Sequence, residues 1–244
     1  MAEPAPWGTG LVFLCPEAVP VGLAHARSEP GSTVLLGAMA EVRTPEHLLA
    51  ALVGAGVTDA ILRLDGEEVP ILDGSSGPWW DAICAAGLEA GPEMPARVVR
   101  RVIEVAWGHG WARLEPSDTA EVRVSVGWDD PRLPSGEITL AVHEFARVAR
   151  ARTFILASDV ERARLSGRGA GANAENTILV TPDQTLGLRF PDEIVRHKAL
   201  DAIGDLALVG APFVGRLVVA RGSHALHHAV LHAWRESDPG EWAA

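Results

Sequence analysis

The chain contains a loose echo of itself. His47 lies at the start of a helical pattern that gives out over 54–57 and is followed by a strand pattern over 60–64; His197 lies in another, followed by a break over 210–212 and a strand pattern over 216–219. Two passes of helix, tight break and strand argue for two domains of related topology. Such a pair would bring two helix-borne histidines toward a shared cleft.

The second pass is the more constrained. Arg196–Asp205 contains no Pro, and Leu200, Ile203, Leu206 and Ala207 recur at helical spacing. His197, Asp201 and Asp205 fall one turn apart, so they project from nearly one face. Lys198 is stepped round by roughly 100° from that line and is the sole lysine in a chain with 21 basic residues. A compact ammonium, which a planar guanidinium does not mimic, is expected to be needed there. The plainer alternative is an amphipathic helix with solvated charges.

Elsewhere the pattern is of short elements cut by turns, in keeping with 25 Gly and 17 Pro in 244 residues. Apolar runs at Thr9–Leu14, Val19–Leu23 and Thr33–Leu36 suggest a β-rich opening. A helix is expected to start at Thr44-Pro45-Glu46, with Thr44 as cap and Pro45 at the first helical position, and to run to Gly54 or Gly56. Val57–Leu64 and Val69–Leu72 should pair about the Asp65-Gly66 turn, and a helix over Pro78–Ala86 should bury Trp79 and Trp80. Gly87–Pro95 is the candidate boundary between domains 1–90 and 91–244. Beyond it, strands are expected at Arg97–Trp107, Trp111–Pro116, Glu121–Val126, Glu137–Val142, Ile178–Val180, Leu186–Arg189 and Phe213–Arg221. Ala141–Arg152 reads as strand end and helix, Ser158–Leu165 as a helix capped by Ser158, and Ala225–Trp234 as the last helix.

A formal charge of −11 argues against a nucleic-acid surface. Cys15 and Cys84 are too few for a disulfide framework. No apolar run approaches a membrane span and no signal peptide is visible, so a cytoplasmic protein is expected.

Catalytic zinc commonly takes three protein ligands and keeps a position for water. His47, His197 and Asp201 would supply three, with Glu46 beside the first as base; a first-turn Glu and a surface His is the plainer alternative. A rival set is His224, His228 and His232, with His227 nearby. Three ligands on one straight helix span ~12 Å, too far for one ion to reach all of them easily.

Five segments in order, 43–48 (Arg-Thr-Pro-Glu-His-Leu), 70–75 (Pro-Ile-Leu-Asp-Gly-Ser), 151–154 (Ala-Arg-Thr-Phe), 171–176 (Gly-Ala-Asn-Ala-Glu-Asn) and 195–205 (Val-Arg-His-Lys-Ala-Leu-Asp-Ala-Ile-Gly-Asp), resemble the UDP-3-O-acyl-N-acetylglucosamine deacetylases. Those are cytoplasmic zinc enzymes of lipid A synthesis, and the resemblance covers roughly residues 40–230. It implies an α+β fold of two domains with helices sandwiched between two sheets, and Zn2+ held by His47, His197 and Asp201. It implies Glu46 as general base, His224 as general acid, Asp205 as the carboxylate supporting that imidazolium, and Thr153 as a hydroxyl donor to the oxyanion. Lys198 would hold an anionic or polar part of the substrate, Phe154 and Asp159 would face the sugar, and Gly167–Val180 would form the acyl passage. The expected partner is the UDP-linked acylated amino sugar, with no nucleic acid, no membrane span, and a monomeric enzyme.

The resemblance has gaps. The family's two opening strands and its Gly-x-Gly-Leu-His-Ser/Thr-Gly hairpin have no counterpart, so the first sheet is expected to be short. The usual Gly-His-x-Leu-Asn-Asn appears as Ser223-His224-Ala225-Leu226-His227-His228, and Ile155 follows Phe154 where a small residue is usual. These departures keep two rivals open: a non-catalytic paralogue binding a nucleotide sugar or a protein, and a zinc amidohydrolase acting on another N-acetylated sugar.

Overall fold

A computed structural model describes residues 1–165, 171–182 and 187–242. The first half contains β1 (Ala2–Pro4), β2 (Leu11–Cys15), β3 (Glu17–Pro20), β4 (Ala26–Glu29), β5 (Ser32–Leu36), β6 (Glu41–Arg43), α1 (Glu46–Ala55), β7 (Ala60–Arg63) and α2 (Gly77–Ala86). The second contains β8 (Arg97–Val98), β9 (Ile103–Trp107), β10 (Gly110–Glu115), β11 (Ala120–Val126), β12 (Gly136–Ala141), β13 (Phe154–Leu156), α3 (Val160–Leu165), β14 (Ile178–Val180), α4 (Glu193–Leu206), β15 (Phe213–Ala220) and α5 (His224–Ser237).

The echo in the sequence is an echo in topology. Hairpin β2–β3 is followed, after the three-stranded β4-β5-β6 sheet, by α1 and then by β7, which lies parallel to β2. Hairpin β11–β12 is followed by α4 and then by β15, parallel to β11. On its other side each of these last strands takes an antiparallel neighbour, β1 for β7 and β10 for β15. The sheet orders are β1-β7-β2-β3 and β12-β11-β15-β10-β9, the latter joined by β8 on β15, with β13 and β14 a separate parallel pair. The fold is α+β.

Helices α1 and α4 pack on each other, α4 lies on β11 and β12, and α5 lies on β9, β10 and β4. Leu49, Leu52, Leu200 and Ile203 are buried there in one apolar cluster. The two helices approach closely at Gly204, where an added Cβ would stand 2.3 Å from the Glu46 carbonyl oxygen. A glycine inside a helix costs about 1 kcal/mol relative to alanine. Here it lets two backbones touch.

Several local expectations are corrected. Thr44 does not cap α1: its φ of 51° turns the chain instead, its hydroxyl reaches Glu68, and Pro45 occupies the cap position. Of the two expected stops for α1, Gly56, left-handed with φ 75°, ends the helix as expected, while Gly54 lies inside it against Phe145. Val69–Leu72 forms no hairpin with β7, whose two edges are already taken by β1 and β2. Trp79 and Trp80 are only partly buried, Trp80 tilting against Phe145 with centroids 5.2 Å apart. Residues 142–147 form a 3-10 turn rather than a helix, and Ser158 sits within a second 3-10 turn without capping α3. Part of the expected strand Leu186–Arg189, and part of the expected passage Gly167–Val180, lie outside the described residues; 187–189 form no strand. Strands β1, β4 and β6 carry too few apolar residues to stand out in the sequence.

Candidate active site and metal centre

Helix α1 presents His47 and helix α4 presents His197 and Asp201 to one point. The Asp201 Oδ1 atom lies 3.8 Å from His47 Nε2 and 3.3 Å from His197 Nε2. The two imidazoles meet edge to face, with centroids 4.9 Å apart. His197 Nδ1 donates to the Ala151 carbonyl at 3.1 Å, which fixes the tautomer and leaves its Nε2 lone pair facing Asp201.

Burial, reinforced by His197, pushes the His47 pKa down to about 3 and keeps that ring neutral. Burial also lowers the pKa of His197. Burial alone would protonate Asp201, but His197 and Lys198 outweigh it and hold the carboxyl below its usual range. Neutral imidazoles and an ionised carboxylate are the forms a divalent cation requires. Within 4.8 Å of one another, these donor atoms fit such an ion.

Glu46 precedes His47 and is buried, with Oε2 accepting the Thr33 backbone N–H at 3.3 Å. Burial raises its pKa to about 7, the His224 charge opposing and Asp201 and Asp205 reinforcing the rise. For His224 the order of effects is reversed in outcome: burial would discharge the ring, yet the Asp205 carboxylate, bonded to Nδ1 at 2.6 Å, lifts the pKa to about 9. The cluster therefore contains one carboxyl group poised near neutrality and one imidazolium.

The segment 151–153 is clamped from several sides. Arg152 donates to the fully buried Glu193 at the start of α4 through its backbone N–H (3.0 Å), Nε (3.0 Å) and Nη2 (3.2 Å). Thr153 donates its N–H to Gly74 at 2.7 Å and accepts from Ile178 at 2.9 Å. Phe154 turns its ring toward His197, centroids 6.0 Å apart, and toward Trp128 at 6.1 Å. Lys198 donates to Asp201 Oδ2 at 2.8 Å, so its ammonium braces the carboxylate. It also lines a cavity of about 200 Å³ with Trp128, Asp129 and Arg221. Asp159 sits on a surface turn, paired with Arg162 at 2.8 Å.

His224, His228 and His232 form no metal-sized group among the described residues. His232 meets Arg235, whereas His228 turns to Thr33. Asp205 meets His224, the pairing the resemblance implies, and also His227 and Thr33, which no sequence expectation placed there. Thr33 had no chemical signature in an apolar strand. The side chains of Trp128 and Arg221 and the carbonyl of Ala151 were equally silent.

Neutral imidazoles, an ionised carboxylate and a nearby carboxyl base suit water activation by a bound cation, which is the work of a metal-dependent hydrolase. Comparison with known proteins makes the class specific. Residues 1–235 match the family model described as LpxC, UDP-3-O-acyl N-acetylglycosamine deacetylase, a longer span than the five segments suggested. The chain is 39% identical over 238 residues to the UDP-3-O-acyl-N-acetylglucosamine deacetylase of Anaeromyxobacter dehalogenans (strain 2CP-C), covering 93% of this chain and 77% of the relative. It is 37% identical over 242 residues to the enzyme of that name from Myxococcus xanthus (strain DK1622), covering 94% and 77%. This chain belongs to the UDP-3-O-acyl N-acetylglycosamine deacetylase family.

Proposed function

We propose that this chain is a zinc-dependent hydrolase that removes acetate from a UDP-3-O-acyl-N-acetylglucosamine, an early step of lipid A synthesis, with His47, His197 and Asp201 as the metal ligands. The observation carrying this reading is the convergence of those three donors beside a carboxyl and an imidazole whose proton affinities are shifted as a base and an acid require. Zinc bound there supplies Lewis-acid polarisation of the amide carbonyl and lowers the pKa of a water to ~7.

The protein's own groups divide the rest. Glu46 takes the proton from the attacking water, and the Thr153 hydroxyl donates to the carbonyl oxygen as it gains charge. His224, charged and oriented by Asp205, gives its proton to the amine nitrogen as the C–N bond breaks. Acetate and a free amine result. Phe154 and Asp159 face the sugar. Lys198, bonded to Asp201, and Arg221, bonded to Asp129 at 2.6 Å, line a cavity with the indole of Trp128 that offers charge and a flat face to a nucleotide diphosphate.

Both halves of the site come from one chain, which supports a monomeric enzyme. A nucleotide-linked substrate supports a cytoplasmic one, and no helix among the described residues is long and apolar enough to cross a membrane. The exposed irregular run after α2 supports division into domains 1–90 and 91–244.

The test is acetate release from the UDP substrate by the zinc-loaded protein, against the chelated protein. Zinc-dependent release supports the reading. Tight substrate binding without turnover would instead establish a binding protein.

A further inference from the structure

Helix α5 brings His224, His227 and His228 to one face, at i, i+3 and i+4. All three are buried; two of them bond one carboxylate on α4, and the third reaches it through Thr33. Asp205 Oδ2 accepts from His224 Nδ1 at 2.6 Å and from His227 Nδ1 at 2.7 Å. Asp205 Oδ1 accepts from the Thr33 hydroxyl at 2.7 Å. That hydroxyl has one proton, and it is spent on Asp205. The His228 Nε2 atom, 2.9 Å from Thr33 Oγ1, must therefore carry a hydrogen and donate it.

His227 is the informative member. Its Nε2 is buried and meets no hydrogen-bond partner among the described residues, whereas its Nδ1 faces a carboxylate oxygen, which can only accept. The one proton of a neutral ring belongs on Nδ1, aimed at Asp205. Ligand atoms of Asp205, His224 and His227 are close enough to hold a metal, but separations of 2.6 and 2.7 Å are those of hydrogen bonds. A carboxylate holding one imidazolium can rotate about its own Cβ–Cγ bond. One holding donors on both oxygens, two of them on Oδ2, cannot do so without breaking several bonds.

We propose that His227 is a positioning residue: through its Nδ1–H it locks the Asp205 carboxylate in the orientation that presents His224 to the leaving amine. The proposal rests on the reading of His224 as the acid. Asparagine would serve the same purpose, because its Nδ2 stands as many bonds from Cα as histidine Nδ1 does. The family's usual Asn at this place is consistent with that geometry.

The test combines nitrogen-15 NMR of the histidine rings in the zinc-loaded protein at pH 7 with steady-state kinetics. The expected spectrum has His227 as the neutral Nδ1–H tautomer, His228 with a hydrogen on Nε2, and a far-downfield Nδ1 proton on His224. In His227→Phe, kcat falls roughly tenfold or more with KM unchanged, as for other groups that orient a working histidine, and the His224 Nδ1 proton moves upfield. In His227→Asn both recover. A His227 ring protonated on Nε2, or bound to the metal, overturns the proposal, as does a His227→Phe protein with unchanged kcat and an unmoved His224 resonance. Because the wild-type spectra need no substrate, a wild-type protein that fails to release acetate counts against the proposed function, while the His227 assignment is decided by the tautomers.

Discussion

His47 Nε2 stands 3.8 Å from Asp201 Oδ1, the first on α1 and the second on α4. Nothing local in the chain dictates that meeting. It follows from the packing of two helices that hold corresponding places in two halves of similar topology, each between a strand hairpin and the parallel strand that returns beside it.

Gly204 sets how closely those helices pack, since a Cβ there would lie 2.3 Å from the Glu46 carbonyl oxygen. Gly204→Ala gains helix propensity yet is expected to lose about 1–3 kcal/mol, because backbone cannot give way as a flexible side chain can. It should also lower kcat by displacing Glu46 and His47. Urea denaturation and turnover, measured on the same preparation, check both. A stabilised, fully active variant would show that the helices have room to spare.

Glu46→Gln and His224→Gln each remove a proton-transfer group while preserving shape. Each is expected to lower kcat by roughly 10²–10⁴, with the metal content of the wild type. Steady-state kinetics alongside elemental analysis separates this from loss of the ion.

The pH dependence of kcat/KM should be a bell. Activity needs Glu46 ionised and His224 protonated, so it rises through the pKa of Glu46 and falls through that of His224, near 9. The value of about 7 for Glu46 belongs to the protein without a cation; bound metal favours the carboxylate and moves the rising limb below it. In Asp205→Asn the alkaline limb should shift downward, since Asp205 is the main group that raises the His224 pKa.

Stability of the metal-free protein should also depend on pH. The folded His224 holds its proton more tightly than the ordinary 6.5, so its contribution is complete below that value and is lost as pH rises through about 9. Glu46, raised from 4.5 to about 7, costs stability over that interval as pH rises. His47, lowered from 6.5 to about 3, costs stability as pH falls between them. Urea midpoints of chelated protein should therefore decline below about pH 4.5 and above about pH 6.5, the Glu46 and His47 effects opposing each other in between.

Much of this was legible in the sequence where signals are local. The α4 face carrying His197, Asp201 and Asp205 follows from a period of 3.6, and β10 to β12 from alternation and turns, whereas the single strand expected over Arg97–Trp107 is broken into β8 and β9, which pair different strands. Local rules failed where tertiary contacts decide. Thr44 looks like a cap, but its φ is positive and its hydroxyl reaches Glu68 across the chain instead of the helix start. Thr33 looks like one more residue of an apolar strand, yet its backbone N–H meets Glu46 and its hydroxyl meets Asp205. Spacing in the sequence groups the α5 histidines at i, i+4 and i+8, along the helix, whereas Asp205 and the Thr33 bonded to it select i, i+3 and i+4.

The most direct test of the central claim is the zinc content of wild type, His47→Ala, His197→Ala and Asp201→Ala after dialysis against trace zinc. One zinc per wild-type chain, and its loss in all three variants, is expected if donors from α1 and α4 share the ion. Full zinc retention in His47→Ala or in Asp201→Ala would contradict it.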